Sequence, residues 1–276
     1  MTERKAIFIT GGGSGIGRAI AQKFAAEGWF CGLADLNQQG MEETAASLPN
    51  GASSIHKFDV RDFAAWESEL AAFAEKSGGR IDVLANNAGI PSGGPLHEVS
   101  IEELDALLDV NIRGMFYGAK AAYPYLLETA PGSALVNTAS AAALYGMANQ
   151  SVYGATKAAI RSMTESLDAE WSPQGVRVRS LMPSFIDTPL LRQPPNRSRN
   201  TPIRDAVMAA GLEFTPVEVV ADNAWDAVHS DKGLHYVVGK TAEKLKFSAK
   251  WFPGKLRQRA RLLANAHNQS EGRELG

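Results

Sequence analysis

Tyr153 and Lys157 lie four residues apart, and Ser140 precedes Tyr153 by thirteen residues. On a helix, residues i and i+4 share a face, so these two side chains are predicted to point the same way. A nearby ammonium favours phenolate and is expected to lower the tyrosine pKa from about 10. Tyr153 could then act as a general acid or base while Ser140 donates a hydrogen bond to the same substrate oxygen. The cluster therefore predicts proton transfer at an alcohol or ketone oxygen.

The same Tyr-x-x-x-Lys spacing occurs again at Tyr236 and Lys240, so the spacing alone is a weak signal. The second copy runs out of a predicted strand, along which four residues span roughly 13 Å. We interpret it as an edge-strand aromatic residue and a surface lysine.

A glycine-rich segment at 10–17 joins a predicted strand to a predicted helix. Glycine lets the backbone turn sharply and approach a pyrophosphate, and a helix N-terminus offers free N–H groups and a partial positive charge. The segment is not a P-loop, because Arg18 stands where the P-loop lysine is required. The alternative is a strand-to-helix turn that binds no ligand.

Asp35 ends the second predicted strand, 18 residues after Gly17. A carboxylate at this position can accept hydrogen bonds from the ribose diol of an adenosine. It would also repel a 2′-phosphate, which favours NAD over NADP as the cofactor. The alternative is that Asp35 only caps the helix that follows.

These groups must be positioned by an alternation of β-rich and helical segments. Strands are predicted at 6–10, 30–35, 53–58, 81–86, 134–138, 176–181 and 235–238. Helices are predicted at 16–27, 38–48, 63–76, 101–127, 152–171 and 216–229. The alternation predicts an α/β fold, a doubly wound, Rossmann-like, parallel seven-stranded sheet with helices on both faces of a single domain.

Composition excludes several classes of protein. Acidic and basic residues nearly balance, at 30 against 28 in 276 residues, so nothing points to nucleic acid as a partner. Cys31 is the only cysteine and the five histidines show no ligand spacing, so we expect neither a disulfide nor a metal site. No window of about 18 apolar residues exists, so no membrane-spanning helix is expected. The chain is expected to be cytoplasmic.

With these motifs the chain resembles the short-chain dehydrogenase/reductase family, over about residues 5–238. The matching motifs follow the family order. They are Thr-Gly-x-x-x-Gly-Ile-Gly at 10–17, Asp59, Asn86-Asn87-Ala88-Gly89, Asn111, Ser140, Tyr153, Lys157, and Pro183 with Thr188.

The resemblance implies a role for each matching residue. The catalytic set would be Asn111, Ser140, Tyr153 and Lys157, with Tyr153 as the acid/base and Lys157 on the nicotinamide ribose. Asn111 would hold a water that links Lys157 to solvent, or would only satisfy a helix kink. The cofactor-binding set would be Gly11, Ser14, Gly15, Ile16, Gly17, Asp35, Asp59, Val60, Asn87, Ala88, Gly89, Tyr153, Lys157, Pro183, Ile186 and Thr188.

The sequence departs from the family pattern at two places. Ser184 stands where the family usually has glycine after the proline of the sixth strand, which would tighten the nicotinamide pocket. After Gly239 the chain continues for about thirty-five residues instead of ending. The usual C-terminal contacts between subunits are therefore in doubt.

A long segment at about 184–214 is expected to form a substrate lid. Apolar side chains of the lid and of the loop after Ser140 would suit a medium-sized hydrophobic or aromatic substrate, although some would be ordinary core residues. The candidates are Leu144, Tyr145, Met147, Leu190, Leu191 and Met208. The lid arginines could grip an anionic substrate or be solvated; they are Arg192, Arg197, Arg199 and Arg204.

Residues 1–240 are expected to form the dinucleotide-binding catalytic domain, and 241–276 a basic amphipathic extension. The extension could contact an anionic membrane surface, but packing on its own domain or on a partner subunit is favoured. Apolar residues on more than one face of the helices at 101–127 and 152–171 predict a homodimer or homotetramer.

The sequence therefore predicts an NAD-dependent alcohol dehydrogenase or ketone reductase that acts on a small-molecule alcohol or ketone. The alternative is a dinucleotide-binding sensor or scaffold without turnover.

Overall fold

A parallel sheet of seven strands runs through the molecule. The computed structural model describes the backbone of residues 4–196 and 201–271, and side chains as far as residue 262. The strands are Ala6–Thr10 (β1), Phe30–Asp35 (β2), Ser53–Lys57 (β3), Val83–Asn86 (β4), Ala134–Thr138 (β5), Arg177–Pro183 (β6) and His235–Val238 (β7). Their spatial order is β3-β2-β1-β4-β5-β6-β7. The order reverses between β1 and β4, so the crevice for a ligand lies at the carboxyl ends of these two strands.

Helices cover both faces of the sheet. They are Gly15–Ala26 (α1), Gln38–Ala46 (α2), Phe63–Lys76 (α3), Ile101–Leu108 (α4), Gly114–Glu128 (α5), Ser151–Trp171 (α6), Ile203–Ala209 (α7), Val217–His229 (α8), Lys240–Trp251 (α9) and Pro253–Glu271 (α10). Within β1, Ile7 and Ile9 pack with α1 and α8, whereas Phe8 packs with α3. A strand that is apolar on both sides is typical of a covered parallel sheet. The predicted doubly wound fold is confirmed.

The predicted helix at 101–127 is two helices joined by a π-helical turn at Asp109–Arg113. Ser100 caps the start of α4 in a capping box. The Ser100 side chain accepts from the Glu103 N–H, and the Glu103 carboxylate accepts from the Ser100 N–H. Such a cap stabilises a helix by about 1 kcal/mol. The apolar pattern continues without a break over 101–127 and so did not predict the π turn, which has Asn111 at its centre.

The predicted lid and extension both contain helices. The lid includes a 3-10 turn at Pro189–Arg192 and α7, and Arg197 and Arg199 lie outside the described residues. The extension forms α9 and α10. Among the residues that the structure describes, no helix is long and apolar enough to cross a membrane.

Candidate active site

The carboxyl ends of β1, β4 and β5 are tied together by side chains. The Thr10 hydroxyl oxygen accepts hydrogen bonds from the backbone N–H groups of Asn87 (2.9 Å) and Ala88 (3.0 Å). The Asn87 amide donates to the Thr10 carbonyl, and its oxygen accepts from the Thr138 hydroxyl, each at 3.0 Å. These bonds fix the crevice between the strands before any ligand enters it.

Three glycines of the glycine-rich turn have no room for a side chain. A Cβ on Gly17 would overlap the Gly11 carbonyl, and one on Gly11 would lie 2.8 Å from Asn87 Nδ2. Gly15 has a φ of +50°, and a Cβ there would lie 3.1 Å from the Thr188 side chain. α1 begins at Gly15, so its free N–H groups lie at this turn.

Arg18 holds the turn against α2, a role that the sequence reasoning missed. Its guanidinium donates to the carbonyls of Gly13 (2.8 Å) and Gly40 (3.2 Å), to the Thr44 hydroxyl (3.0 Å) and to Glu43 (2.9 Å). A signal was available, because a long cation in the first turn of a helix is badly placed for the helix dipole and needs acceptors elsewhere.

Asp35 is oriented by backbone donors at the end of β2. One carboxylate oxygen accepts from the Gly13 N–H and the other from the Asn37 N–H, each at 3.0 Å. Asn37 caps α2, because its side chain accepts from the Gly40 N–H at 3.1 Å. The carboxylate therefore lies beside the glycine-rich turn, and Asn37 does the capping.

A cavity of about 670 Å³ opens between this turn, the start of α2 and the start of the lid. Its walls include Gly13, Ser14, Gly15, Arg18, Asn37 and Leu190. Glycine backbone, free helix N–H groups and an adjacent carboxylate fit the pyrophosphate and adenosine ribose of a dinucleotide.

Ser140, Tyr153 and Lys157 meet at the end of β5. α6 turns Gly154, Lys157, Ile160 and Thr164 into the protein, a helical spacing that carries the lysine inward. Ser140 Oγ accepts from the Ala142 N–H at 3.2 Å, and the Ser140 hydroxyl is close enough to the Tyr153 hydroxyl to influence its pKa.

The Lys157 ammonium is held between β5 and Tyr153. It donates to the Thr138 carbonyl at 2.9 Å, and its Nζ lies 5.7 Å from the centroid of the Tyr153 ring. Lys157 is only 4 % exposed. The chain thus brings the three predicted side chains into one cluster.

Burial controls both titrating groups in this cluster. It raises the pKa of Tyr153, and the neighbouring Ser140 hydroxyl acts in the opposite direction. It lowers the pKa of Lys157 from its ordinary 10.5 to about 8. The expected lowering of the tyrosine pKa is therefore not seen, because removing the phenol from water outweighs the favourable contacts of the phenolate.

Asn111 bonds the loop after β4 to the π turn. Its Oδ1 accepts from the Ile90 N–H at 2.9 Å, and its Nδ2 donates to the Ile90 carbonyl at 3.0 Å. A Cβ on Gly89 would lie 3.2 Å from Asn111 Oδ1 and 3.5 Å from Lys157 Nζ. The amide thus satisfies the local backbone and lies close to the ammonium, and π turns of this kind are frequent at functional sites.

Asp59 and Val60 lie after β3. Arg61 donates to the Asp59 carboxylate at 2.6 to 3.0 Å, and this hydrogen bonding lowers the pKa of Asp59. The Val60 carbonyl accepts from the Trp66 indole at 2.9 Å. The carboxylate is therefore already occupied by an arginine.

The segment after β6, where the lid begins, lies against the glycine-rich turn. Ile186 and Thr188 are buried, and Thr188 contacts Gly15. The Ser184 hydroxyl hydrogen-bonds Thr215 Oγ1 at 3.3 Å, and a Cβ on Gly239 would overlap it. Ser184 is thus directed toward the end of the lid and the start of the extension.

The substrate candidates do not form one surface. Leu144 packs against a core cluster that includes Met115 and Met182, and Leu191 is buried. Leu190 lines the cavity, and Met208 is 52 % exposed. Tyr145 and Met147 are half-buried on the loop after Ser140.

Arg204 is engaged within the lid, because it forms an ion pair with Asp187 at 3.0 Å. The hydrogen bond raises the pKa of Arg204. The lid is also joined to the loop after β4, since the Gly93 N–H donates to the Pro195 carbonyl at 2.9 Å and Asn196 donates to the Gly93 carbonyl at 2.7 Å. In the described part of the chain, no group of three or more His, Cys, Asp and Glu side chains could hold a metal ion.

Comparison with known proteins identifies the family. The family model described as short chain dehydrogenase matches residues 5–198. The chain belongs to the short-chain dehydrogenase/reductase family. This short-chain dehydrogenase/reductase is 36 % identical over 219 residues to meso-2,3-butanediol dehydrogenase of Serratia marcescens, covering 79 % of this chain and 85 % of that one. It is 39 % identical over 195 residues to L-2,3-butanediol dehydrogenase of Corynebacterium glutamicum, covering 68 % and 74 %.

The fold of this short-chain dehydrogenase/reductase is similar to that of a solved relative. The crystal structure of a short-chain dehydrogenase/reductase from Burkholderia phymatum in complex with NAD superposes with a TM-score of 0.79 at 27 % identity. The similarity covers 94 % of this chain and 97 % of that one. The resemblance drawn from the sequence motifs is confirmed as family membership.

Proposed function

We propose that this short-chain dehydrogenase/reductase is an NAD-dependent alcohol dehydrogenase or ketone reductase with Tyr153 as its general acid and base. The observation that carries the proposal is the cluster in which Ser140 and Lys157 both lie beside Tyr153, with 5.7 Å between Lys157 Nζ and the centroid of the tyrosine ring. Two relatives named as butanediol dehydrogenases and one solved in complex with NAD support this reading.

The residues that would hold NAD surround the crevice at β1 and β4. The glycine-rich turn and α1 would take the pyrophosphate, Asp35 the adenosine ribose, and Lys157 the nicotinamide ribose. When bound, NAD supplies the acceptor or donor of a hydride. No metal is required, because a hydroxyl and a phenol can polarise the substrate oxygen.

Tyr153 would move the proton at the substrate oxygen. In reduction its phenol gives a proton to the carbonyl oxygen, and in oxidation its phenolate, the form that burial disfavours, takes the hydroxyl proton. Ser140 would orient that oxygen by donating its hydroxyl hydrogen, which the bond from the Ala142 N–H to Oγ does not use. We propose a medium-sized hydrophobic or aromatic secondary alcohol or its ketone as substrate, with the half-buried Tyr145 and Met147 beside it.

The test compares Tyr153→Phe with Tyr236→Phe, because Tyr236 also precedes a lysine by four residues but lies in β7. Reduced-nicotinamide absorbance is followed with 2,3-butanediol and with larger aromatic secondary alcohols. We expect Tyr153→Phe to lose about 100-fold or more of kcat while still binding NAD in a titration. Tyr236→Phe should keep wild-type turnover.

Two results would count against the proposal. If Tyr153→Phe retains the wild-type rate, the phenol is not the proton carrier. If the wild-type chain binds NAD but turns over no alcohol or ketone in the panel, the sensor or scaffold alternative takes its place.

A further inference from the structure

The outer side of α9 carries aromatic rings that the rest of the described chain does not cover. Ala242 is fully buried and Leu245 is half-buried, whereas Phe247 and Trp251 are 58 % and 60 % exposed. Residues 247 and 251 are one turn apart, on the side of α9 opposite Ala242. Phe252 is 45 % exposed, with its ring 5.9 Å from that of Phe247. These three residues, 247, 251 and 252, form the aromatic patch.

Positive charge surrounds the aromatic patch. Residues 244–262 contain seven lysines and arginines and no acidic residue, although the whole chain has a net charge of −2. Lys250 Nζ lies 4.9 Å from the centroid of the Trp251 ring, and Lys255 Nζ lies 5.4 Å from that of Phe252. The extension therefore concentrates positive charge on a protein whose remaining residues have a net negative charge.

We propose that the aromatic patch and its surrounding cations bind the surface of an anionic lipid bilayer. A helix that presents bulky apolar rings among lysines lies in the membrane interface, with its rings at the acyl boundary and its ammonium groups at the headgroups. Each lysine or arginine near an anionic leaflet adds to the attraction. The binding is superficial, because no helix of the described residues could span a membrane.

Charge disfavours a second copy of the same patch as the occupant. Two-fold pairing would bring two identical sets of seven cations together, and like charges at an interface repel. Single-stranded nucleic acid also uses rings and cations, but it follows a positively charged groove. Here the rings lie on the outer side of a helix, which suits a flat lipid surface.

The position of α9 gives lipid binding a functional consequence. α9 packs against the 3-10 turn at Ala141–Ala143, which directly follows Ser140. Docking would hold the substrate end of the site beside the lipid, where amphiphilic alcohols and ketones partition. This consequence rests on the proposed function, whereas lipid binding itself does not.

Vesicle flotation with the full-length chain tests the proposal. Vesicles of phosphatidylcholine with about one-third phosphatidylglycerol are compared with phosphatidylcholine alone. We expect flotation with the anionic vesicles only. Lys244→Glu/Lys250→Glu should weaken binding by about 20-fold or more, and Phe247→Ser/Trp251→Ser should also weaken it.

The matched control is Lys57→Glu/Lys76→Glu, which makes the same change of charge at exposed positions on β3 and α3. β3 and β7 are the opposite edges of the sheet, so this variant should bind the vesicles like the wild type. Tryptophan fluorescence should shift to the blue when anionic vesicles are added, and Trp251→Phe should abolish the shift. Because the tail substitutions are at exposed positions, unchanged thermal unfolding should accompany the loss of binding.

Four results would overturn the proposal. They are no flotation with anionic vesicles, an equal loss in the control variant, tighter binding of a labelled oligonucleotide than of vesicles, and a smaller assembly in light scattering of Phe247→Ser/Trp251→Ser without lipid. The last would assign the patch to a second copy. None of these readouts measures turnover, so a failure here is distinct from a failure of the proposed function.

Discussion

Lys157 and Thr138 are joined by a hydrogen bond in which a buried ammonium donates to a main-chain carbonyl, with 2.9 Å between Nζ and O. The carbonyl dipole does not replace the lost hydration, so burial still lowers the pKa of Lys157 to about 8. A charged lysine in this position is destabilising at neutral pH. The Lys157 ammonium therefore lowers the stability of the folded protein, a cost that an apolar residue at this position would not have.

Replacing Lys157 with methionine should make the stability of the protein less dependent on pH. The folded-state pKa of about 8 lies below the ordinary 10.5, so the unfolded chain binds more protons between these values. The wild type then gains stability as the pH rises through this window, by about 3 kcal/mol in total. Lys157→Met lacks this gain, so its stability relative to the wild type should be greatest below about pH 8. Urea unfolding of both proteins without cofactor measures the difference, and a constant difference across the window would contradict the assignment.

Replacing Asp35 with alanine should relax the preference for NAD over NADP. The carboxylate is fixed beside the glycine-rich turn by the Gly13 and Asn37 N–H groups and would repel a 2′-phosphate. We expect the ratio of kcat/KM for the two cofactors to fall at least about tenfold. Asp59→Ala is the control and should change both cofactors alike, because Asp59 is neutralised by Arg61. A wild-type protein that already prefers NADP would contradict this prediction.

Two glycine-to-alanine changes should have opposite effects. At Gly17 a Cβ would overlap the Gly11 carbonyl, so Gly17→Ala should lose NAD binding and about 1–3 kcal/mol of stability. At Gly154 the nearest atom to a Cβ is the Ala142 carbonyl oxygen at 3.6 Å, so Gly154→Ala should keep NAD binding and gain up to about 1 kcal/mol from helix propensity. Thermal unfolding and cofactor titration check both. Equal behaviour of the two variants would show that the close approach at the turn is not required.

The protein should be a homodimer or homotetramer through α4 and α5. Small apolar residues of α5, such as Ala119 and Ala122, are buried in their own domain and are not available to a partner. Larger apolar side chains on the same helices are exposed instead. They are Ile101 (68 %), Leu108 (37 %), Phe116 (47 %) and Leu127 (41 %).

A charge placed on this surface should dissociate the assembly, because it would be desolvated in the interface. Light scattering of Phe116→Glu should show a smaller species than the wild type. Phe247→Glu, the same change in the extension, should leave the assembly intact. A wild-type chain that is monomeric at micromolar concentration would refute the prediction.

Most of the fold could be predicted from the sequence, because the secondary structure that each segment favours locally is the one that the parallel sheet requires. Alternating segments located β1, β2, β5, β7 and α3 to the residue. The break near Asn111 was not predictable, since the apolar pattern continues through it and the bonds of Asn111 to Ile90 join residues distant along the chain.

The sequence predicted which residues meet in the Ser140–Tyr153–Lys157 cluster better than it predicted their pKa values. Sequence spacing brought Tyr153 and Lys157 onto one face, but the burial that moves their pKa values depends on packing from other elements. The partners of Arg18 could not be predicted either, because its acceptors on α2 are distant along the chain.

The fit between Ser184 and Gly239 couples two positions that a sequence reader would treat as independent. The hydrogen-bonded hydroxyl oxygens of Ser184 and Thr215 both occupy the space that a side chain at 239 would need, and Gly239 also has a φ of +97°. Loss of the Ser184 hydroxyl would remove one of the three barriers to a larger residue at 239. The two positions should therefore drift together during evolution, and a serine at 184 should be accompanied by a glycine at 239.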